Sequence, residues 1–121
     1  MSQLSGTTLA YIGDAIFEVL IREHLINAGY QKVDNLHKEA IKFTSAKGQK
    51  IGYDIISEVL SEKEVSIFKR GRNANSDRKA KNATLAEYKT ATGLEALFGY
   101  LYLEKNNDRI SELLNKIINE S

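Results

Sequence analysis

The sequence predicts an all-α fold, on three observations. Apolar residues recur every three or four positions along most of the chain, which is the spacing that places them on one face of a helix. No segment alternates apolar and polar residues as a half-buried strand does. Proline, which breaks helices and is costly in central strands, is absent from the chain. At 121 residues we expect a single domain, residues 1–121, built from about six or seven helices.

The predicted helices have recognisable boundaries. The two most apolar ones cover Thr7–Asn27 and roughly Leu85–Lys105, and a break is expected at residues 44–45. Between Arg70 and Thr84 the apolar periodicity is lost, so we expect a long exposed loop there. Short polar side chains cap helix N-termini, and the candidates are Asp34 or Asn35, the Ser61–Glu64 capping box, and Asn107 or Asp108.

Composition excludes several classes of protein. The chain has no cysteine, so disulfides and thiolate metal sites are ruled out, and a reducing cytoplasm is the expected compartment. Charged residues interrupt every apolar stretch before it reaches membrane-spanning length, and the first residues do not resemble a secretion signal. We therefore expect no membrane partner. The sequence also lacks the G-x-x-x-x-G-K-[ST] phosphate-binding loop, so we expect no nucleotide cofactor.

Two carboxylates stand in unexpectedly apolar surroundings. Asp14 lies within LAYIGDAIFEVLI and Glu95 within TGLEALFGYLYL. Buried carboxylates are usually paired with a cation or bound to a metal, and the nearby Gly13 and Gly93 indicate close approach of another helix or a ligand. A pair of carboxylates suits Mg²⁺ or Mn²⁺, which would indicate phosphodiester hydrolysis. The alternative is that each acid pairs with a buried Arg or His, or faces solvent.

Glu18 is a candidate third acid of this site. It follows Asp14 by four residues and therefore projects from the same face of the helix. It either joins the metal shell, directly or through water, or forms an ordinary ion pair with Arg22, which is again four residues away.

A near-neutral total charge conceals a basic segment. Between Lys69 and Lys89 there are seven basic and two acidic residues, a local charge of +5 in a chain whose total is +1. Such a segment is either a phosphate-contacting element or a solvated loop. The candidates for RNA phosphate contacts are Arg70, Arg72, Arg78, Lys79, Lys81 and, near the start of the second helix, His37.

Three blocks of sequence resemble the ribonuclease III family. LAYIGDA at 9–15 resembles its signature helix, and GLEALFGYLYL at 93–103 resembles its second metal-binding helix. The match is closest to the short bacterial branch, Mini-ribonuclease III, which lacks a double-stranded RNA-binding domain: its pattern is visible in YIGDAIFE, in KRGRNA at 69–74 and in YKTATGLEALFGYLYL at 88–103. The resemblance covers essentially the whole chain.

The resemblance implies a ribonuclease III-like helical homodimer that hydrolyses both strands of duplex RNA with Mg²⁺, for which Mn²⁺ can substitute. It also implies products with 5′-phosphate and 3′-hydroxyl ends and a role in maturation of 23S ribosomal RNA, with the precursor rRNA as partner. By position, Asp14 and Glu95 match the family's catalytic, metal-binding acids, and Tyr11 matches an aromatic residue near the dimer interface.

Two positions depart from the family pattern. Standard members have a glutamate where this chain has Ala10 and an aspartate where it has Thr92, so half of the usual acidic quartet is absent. Glu18 is the candidate that would compensate. The loss keeps open a non-catalytic double-stranded RNA-binding or ribosome-assembly module, and beyond it a helical protein-interaction module.

Overall fold

The structure is a computed structural model that describes residues 3–74 and 83–121. These residues contain helices only, which confirms the all-α prediction. They are α1 (Gly6–Asn27), α2 (Val33–Thr44), α3 (Ala46–Ile56), a 3-10 turn (Ser57–Val59), α4 (Glu62–Arg72), α5 (Leu85–Leu103) and α6 (Asn107–Glu120).

Helix α5 is the centre of the fold. It packs against α1, α3, α4 and α6, which is why its sequence is apolar around most of its circumference rather than along one stripe. The main core joins α5 to α1 and α6: Phe98 and Phe17 meet edge to face with ring centroids 5.4 Å apart, and Leu97 and Leu113 are fully buried beside them. Burial of these side chains stabilises the helix assembly.

Helices α1 and α5 cross with their backbones in contact. A Cβ atom added to Gly13 would overlap the carbonyl oxygen of Glu95, and one added to Gly99 would overlap the carbonyl oxygen of Leu9. Only glycine at both positions allows this approach. The predicted role of Gly13 is therefore confirmed, and the crossing places Asp14 beside Glu95.

A second close contact holds α4 on α5. A Cβ on Gly71 would lie 2.6 Å from that of Ala96, and one on Gly93 would lie 2.6 Å from the ring of Phe68. Phe68 in turn stacks on Tyr53 of α3, with ring centroids 3.8 Å apart. The C-terminal end of α4 is thereby fixed close to the turn of α5 that precedes Glu95.

Two of the predicted helix boundaries are confirmed. Ser61 and Glu64 form the expected capping box, with bonds of 2.8 and 3.1 Å. The predicted break at 44–45 separates α2 from α3, and the Ser45 hydroxyl accepts from the backbone N–H of Gly48 at 3.0 Å.

Two predicted N-caps are wrong. Helix α2 begins after Lys32 without a side-chain cap, and Asp34 lies inside its first turn. Helix α6 is capped by Asn106, one residue before the predicted pair. Acidic residues are favourable both at the cap and within the first turn, because both positions face the positive end of the helix dipole. The residue type alone therefore does not fix the first residue of a helix.

A buried ion pair ties α6 to the start of α4. Glu64 is only 6% exposed and accepts two hydrogen bonds of 2.8 Å from the Arg109 guanidinium, which also donates to the carbonyl oxygen of Val59 at 2.7 Å. This bidentate pairing holds the pKa of Glu64 below its usual value. The charge of Glu64 is thus fully compensated within the fold.

Within residues 3–74 and 83–121, none of the helices combines the length and apolar character needed to cross a membrane.

Replacing Gly13 with alanine is expected to lower the free energy of unfolding by about 3 kcal/mol. The new methyl group overlaps the backbone carbonyl oxygen of Glu95 on α5. A backbone atom cannot move aside by a change of rotamer, so the two helices must separate. Urea unfolding followed by circular dichroism measures the change. Gly52→Ala is the control, because its methyl group meets only the flexible side chain of Ile117, at 3.3 Å, and should cost less than about 1 kcal/mol. Equal stabilities of the two variants would contradict the proposed crossing.

Candidate active site

Asp14 and Glu95 meet where α1 crosses α5. Glu95 is half-buried, Asp14 is exposed, and the two carboxyl groups lie side by side. Burial of Glu95 is the main cause that raises its pKa to about 8, and hydrogen bonding and the negative charge of Asp14 contribute to the same rise. Glu95 therefore retains its proton near neutral pH in the metal-free protein.

Asp14 faces solvent, which is one of the alternatives that the sequence left open for it. Its apolar neighbours in sequence do not surround it, because one flank of α1 is itself exposed: Tyr11 is 84% accessible, and Val19 and Ile26 are each 58% accessible. An apolar helix indicates burial only where another element covers it. Glu95, on the enclosed helix α5, is the member of the pair that burial perturbs.

Gln49 is a site residue that sequence reasoning missed. Its side chain is 2% exposed, and its Nε2 donates to Oε2 of Glu95 at 3.3 Å. This bond acts against the rise in the pKa of Glu95, because it stabilises the ionised form. A signal was available: Gln49 stands three and seven residues before Gly52 and Ile56, on the buried face of α3.

Glu18 forms the ion pair that was its alternative role. Its Oε2 lies 3.3 Å from Nε of Arg22, and both side chains are substantially exposed. Its charge nevertheless contributes to the raised pKa of Glu95, so it lies near the pair. Among residues 3–74 and 83–121, no three acidic or histidine side chains gather in an arrangement that would hold a metal.

The Asp14–Glu95 pair has the chemistry of a hard-cation site. None of the salt bridges within the described part of the chain involves either acid, so no described basic side chain neutralises the pair. Mg²⁺ typically takes one or two protein carboxylates and completes its shell with water and phosphate oxygens. Two carboxylates, one of them open to solvent, fit that requirement.

The two positions that depart from the acidic quartet are otherwise engaged. Ala10 is 7% exposed and packs in a small apolar cluster with Ile67 and Ala96. The hydroxyl of Thr92 donates to the carbonyl oxygen of Tyr88 at 3.0 Å. Ala10 packs against apolar neighbours and the Thr92 hydroxyl has a hydrogen-bond partner, so neither position supplies a charged ligand.

The basic segment begins inside a helix, which corrects the predicted loop boundary. Arg70 and Arg72 belong to the last turn of α4, whose apolar side packs on α5 through Gly71. The guanidinium of Arg70 donates to the carbonyl oxygen of Leu4 at 2.9 Å, and that of Arg72 lies 5.9 Å from the ring centroid of Phe68. Three further candidates lie outside the described residues: Arg78, Lys79 and Lys81.

The remaining candidates are surface residues. His37 is exposed on α2. Tyr11 is exposed on α1, one turn before Asp14. The structure therefore brings together Asp14, Glu95 and the previously unnoticed Gln49. It pairs Glu18 with Arg22 and leaves His37 and Tyr11 on the outer surface.

Comparison with known proteins assigns the family. Residues 7–106 match the sequence model of the ribonuclease III domain. The Mini-ribonuclease 3 of Streptococcus pneumoniae (strain ATCC BAA-255 / R6) is 46% identical over 93% of this chain and 89% of its own length. That of Enterococcus faecalis (strain ATCC 700802 / V583) is 45% identical over 93% of this chain and 87% of its own length. A crystal structure of a protein from Fusobacterium nucleatum superposes with a TM-score of 0.89 at 37% identity, covering 97% of this chain and 95% of that one.

The family match spans most of the chain, and the relatives are matched over nearly their full length. The structural agreement shows in addition that the helical arrangement is shared with that solved structure. The chain therefore belongs to the ribonuclease III family, as an endoribonuclease of its Mini-ribonuclease 3 group.

Proposed function

We propose that this endoribonuclease cuts both strands of double-stranded RNA at the Asp14–Glu95 pair, with Mg²⁺ as cofactor and Mn²⁺ as a substitute. The observation that carries the proposal is that the α1–α5 crossing places the carboxyl groups of Asp14 and Glu95 side by side, without an ion-pair partner in the described part of the chain. The family is generally metal-dependent, which agrees with this donor set. We further propose precursor 23S rRNA, in the cytoplasm, as the natural substrate, on the family resemblance.

The two acids would divide the work by their exposure. Half-buried Glu95 anchors the cation, while exposed Asp14 binds it from the side on which the RNA approaches. When bound, Mg²⁺ would lower the pKa of a coordinated water and neutralise charge on the phosphate. Hydrolysis in which water forms the new bond to phosphorus and the 3′-oxygen leaves would give 5′-phosphate and 3′-hydroxyl ends. With two carboxylates rather than four, water and the RNA phosphate would complete more of the metal shell.

The basic residues at the end of α4 would hold the RNA backbone. Gly71 fixes Arg72 near the turn of α5 that leads to Glu95, and the 69–89 segment carries a local charge of +5. RNA duplexes are recognised mainly through phosphates and 2′-hydroxyls, so we expect weak sequence preference and binding that weakens as salt rises.

A second copy of the chain would supply the other cleavage site. Tyr11, Val19 and Ile26 are exposed at intervals of eight and seven residues, so they form an apolar stripe along one flank of α1. An exposed stripe of this kind is typical of an association surface. A homodimer through α1 would place two Asp14–Glu95 pairs on one duplex.

Asp14→Asn and Glu95→Gln should each lower the rate of duplex RNA cleavage at least about a hundredfold, equivalent to about 2.7 kcal/mol of transition-state stabilisation. Each change keeps the shape of the side chain and removes one metal-binding charge. Cleavage of a labelled duplex in Mg²⁺ gives the rates, and a single-stranded RNA of the same sequence tests the substrate class.

Glu23→Gln is the matched control, because Glu23 is an exposed acid on the opposite face of α1, and its rate should equal that of the wild type. Wild-type rates in Asp14→Asn would rule out the assigned site. Equal cleavage of single-stranded RNA would rule out duplex specificity.

In cells whose only copy of this protein carries Asp14→Asn, unprocessed 23S rRNA should accumulate. Complete processing in those cells would rule out the proposed natural substrate.

Metal binding should strengthen with pH up to about 8, the pKa of Glu95 in the metal-free protein. Below that pH the cation must displace the proton of Glu95, so its apparent affinity should rise about tenfold per pH unit and level off above it. Mg²⁺ titrations of duplex cleavage between pH 6 and 9 measure the midpoint. A midpoint independent of pH would contradict the raised pKa of Glu95.

Stability should show the opposite trend in EDTA. A carboxyl whose pKa is raised in the folded state stabilises the fold fully below its usual value of 4.5, and that contribution is lost as the pH rises through about 8. The amide of Glu95→Gln does not titrate, so this variant does not lose stability as the pH rises through about 8. Above pH 8 its free energy of unfolding should exceed that of the wild type by about 2–4 kcal/mol. A stability difference that does not grow with pH would contradict this.

The wild-type chain should sediment at twice its 13.6 kDa mass, and Tyr11→Asp combined with Val19→Asp should sediment as a monomer, because each charge must be desolvated at the interface. Analytical ultracentrifugation measures both. Val33→Asp is the control, since Val33 lies on α2 and its accessibility of 77% falls between those of Tyr11 (84%) and Val19 (58%). A monomeric wild type, or a dimeric double variant, would exclude the α1 surface.

A further inference from the structure

Gln49 is a polar residue in an apolar position. The buried face of α3 consists of Gly48, Gln49, Gly52 and Ile56. Gly52 faces the side chain of Ile117, and Ile56 is fully buried in the main core. An apolar side chain at position 49 would continue this face without the cost of desolvating an amide.

The described part of the chain contains two buried polar side chains, Gln49 and Glu64. Glu64 has a structural explanation, because it caps α4 and pairs with Arg109. The amide of Gln49 makes one side-chain hydrogen bond in the structure, from Nε2 to Oε2 of Glu95. This bond joins residues 46 positions apart and is the polar link between α3 and the carboxyl pair.

The bond restrains the carboxylate of Glu95, which has no ion-pair partner among residues 3–74 and 83–121. A glutamate side chain has three rotatable bonds, and the neighbouring Asp14 repels the ionised form of Glu95. The amide of Gln49 donates to one carboxylate oxygen of Glu95, Oε2, and so restrains the side chain from the α3 side. Gln49 is itself fixed, because it is 2% exposed and lies in the first turn of α3, where Ser45 caps the helix.

We infer that Gln49 is a positioning residue of the metal site: its amide holds the carboxylate of Glu95 in the orientation that binds the divalent cation. The inference rests on the proposed function, since it takes Asp14 and Glu95 as the metal-binding pair. Hydrogen bonds to metal-binding carboxylates orient them, and their loss typically weakens metal binding about 10–100-fold. With only two protein carboxylates on the cation, the orientation of each has a large effect.

The test compares Mn²⁺ binding to the full chain without RNA, by the electron paramagnetic resonance signal of free Mn²⁺. Gln49→Met keeps the length and volume of the side chain and removes the donor, and should bind Mn²⁺ about tenfold more weakly. Lys47→Met, an exposed position in the same turn of α3, should bind as the wild type does. Thermal unfolding establishes that each variant is folded.

The Mg²⁺ dependence of cleavage gives a second readout. In Gln49→Met the Mg²⁺ concentration for half-maximal rate should rise about tenfold, while the rate at saturating Mg²⁺ changes less. A structural defect would lower the active fraction without moving that midpoint. A folded Gln49→Met with wild-type Mn²⁺ affinity and Mg²⁺ midpoint overturns the inference, as does equal weakening in Lys47→Met.

Nuclear magnetic resonance of the wild-type chain tests the inference even if Gln49→Met does not fold. The sequence has three glutamines, and Gln3 and Gln31 are exposed internal controls. Adding Mg²⁺ should shift the side-chain amide resonance of Gln49 alone among the three, and should not shift it in Asp14→Asn. An unmoved Gln49 resonance in a wild type that binds metal overturns the inference. Metal binding that is absent, or unchanged in Asp14→Asn, overturns the proposed site and this inference with it.

Discussion

The close crossing of α1 and α5 is the contact on which the rest of the structure depends. Its two glycines bring the helix backbones together, Gly13 against Glu95 and Gly99 against Leu9. A side chain at either position would separate the helices, and with them the carboxyl groups of Asp14 and Glu95. The same residues therefore determine how the core packs and whether a two-carboxylate site exists. The remaining helices surround α5, which encloses Glu95 while Asp14 stays open to solvent.

Two glutamates of the fold show how surroundings decide the role of a carboxylate. Glu64 is buried with the guanidinium of Arg109, which lowers its pKa and fixes it as a structural ion pair. Glu95 is half-buried beside Asp14, and its pKa is raised to about 8. The first charge is compensated by Arg109, whereas none of the described basic side chains forms an ion pair with the second. Strongly perturbed acids that lack a cationic partner are typical of functional sites, where stability is lost in exchange for binding.

The sequence was sufficient to predict the helices and the two principal acids, because both leave local signals. Helical periodicity marks α1 and α5, the Ser61–Glu64 pair marks the start of α4, and carboxylates within apolar segments single out Asp14 and Glu95. What it missed has two physical origins. The exact N-caps of α2 and α6 were missed because the same residue types are favourable at the cap and in the first turn. The helical state of Arg70 and Arg72 and the exposure of Asp14 depend on which surfaces other helices cover. That information is not contained in any local window of residues.

By itself, then, the sequence determined the all-α class, the identity of the two carboxylates and the family to which their motifs belong. Only the tertiary structure decided that Ala10 fills an apolar cluster and that Gln49 reaches Glu95 from another helix. The physical reason is distance along the chain. A residue's type and its neighbours within a few turns specify helix formation, whereas partners 46 or more positions away meet only when the helices pack.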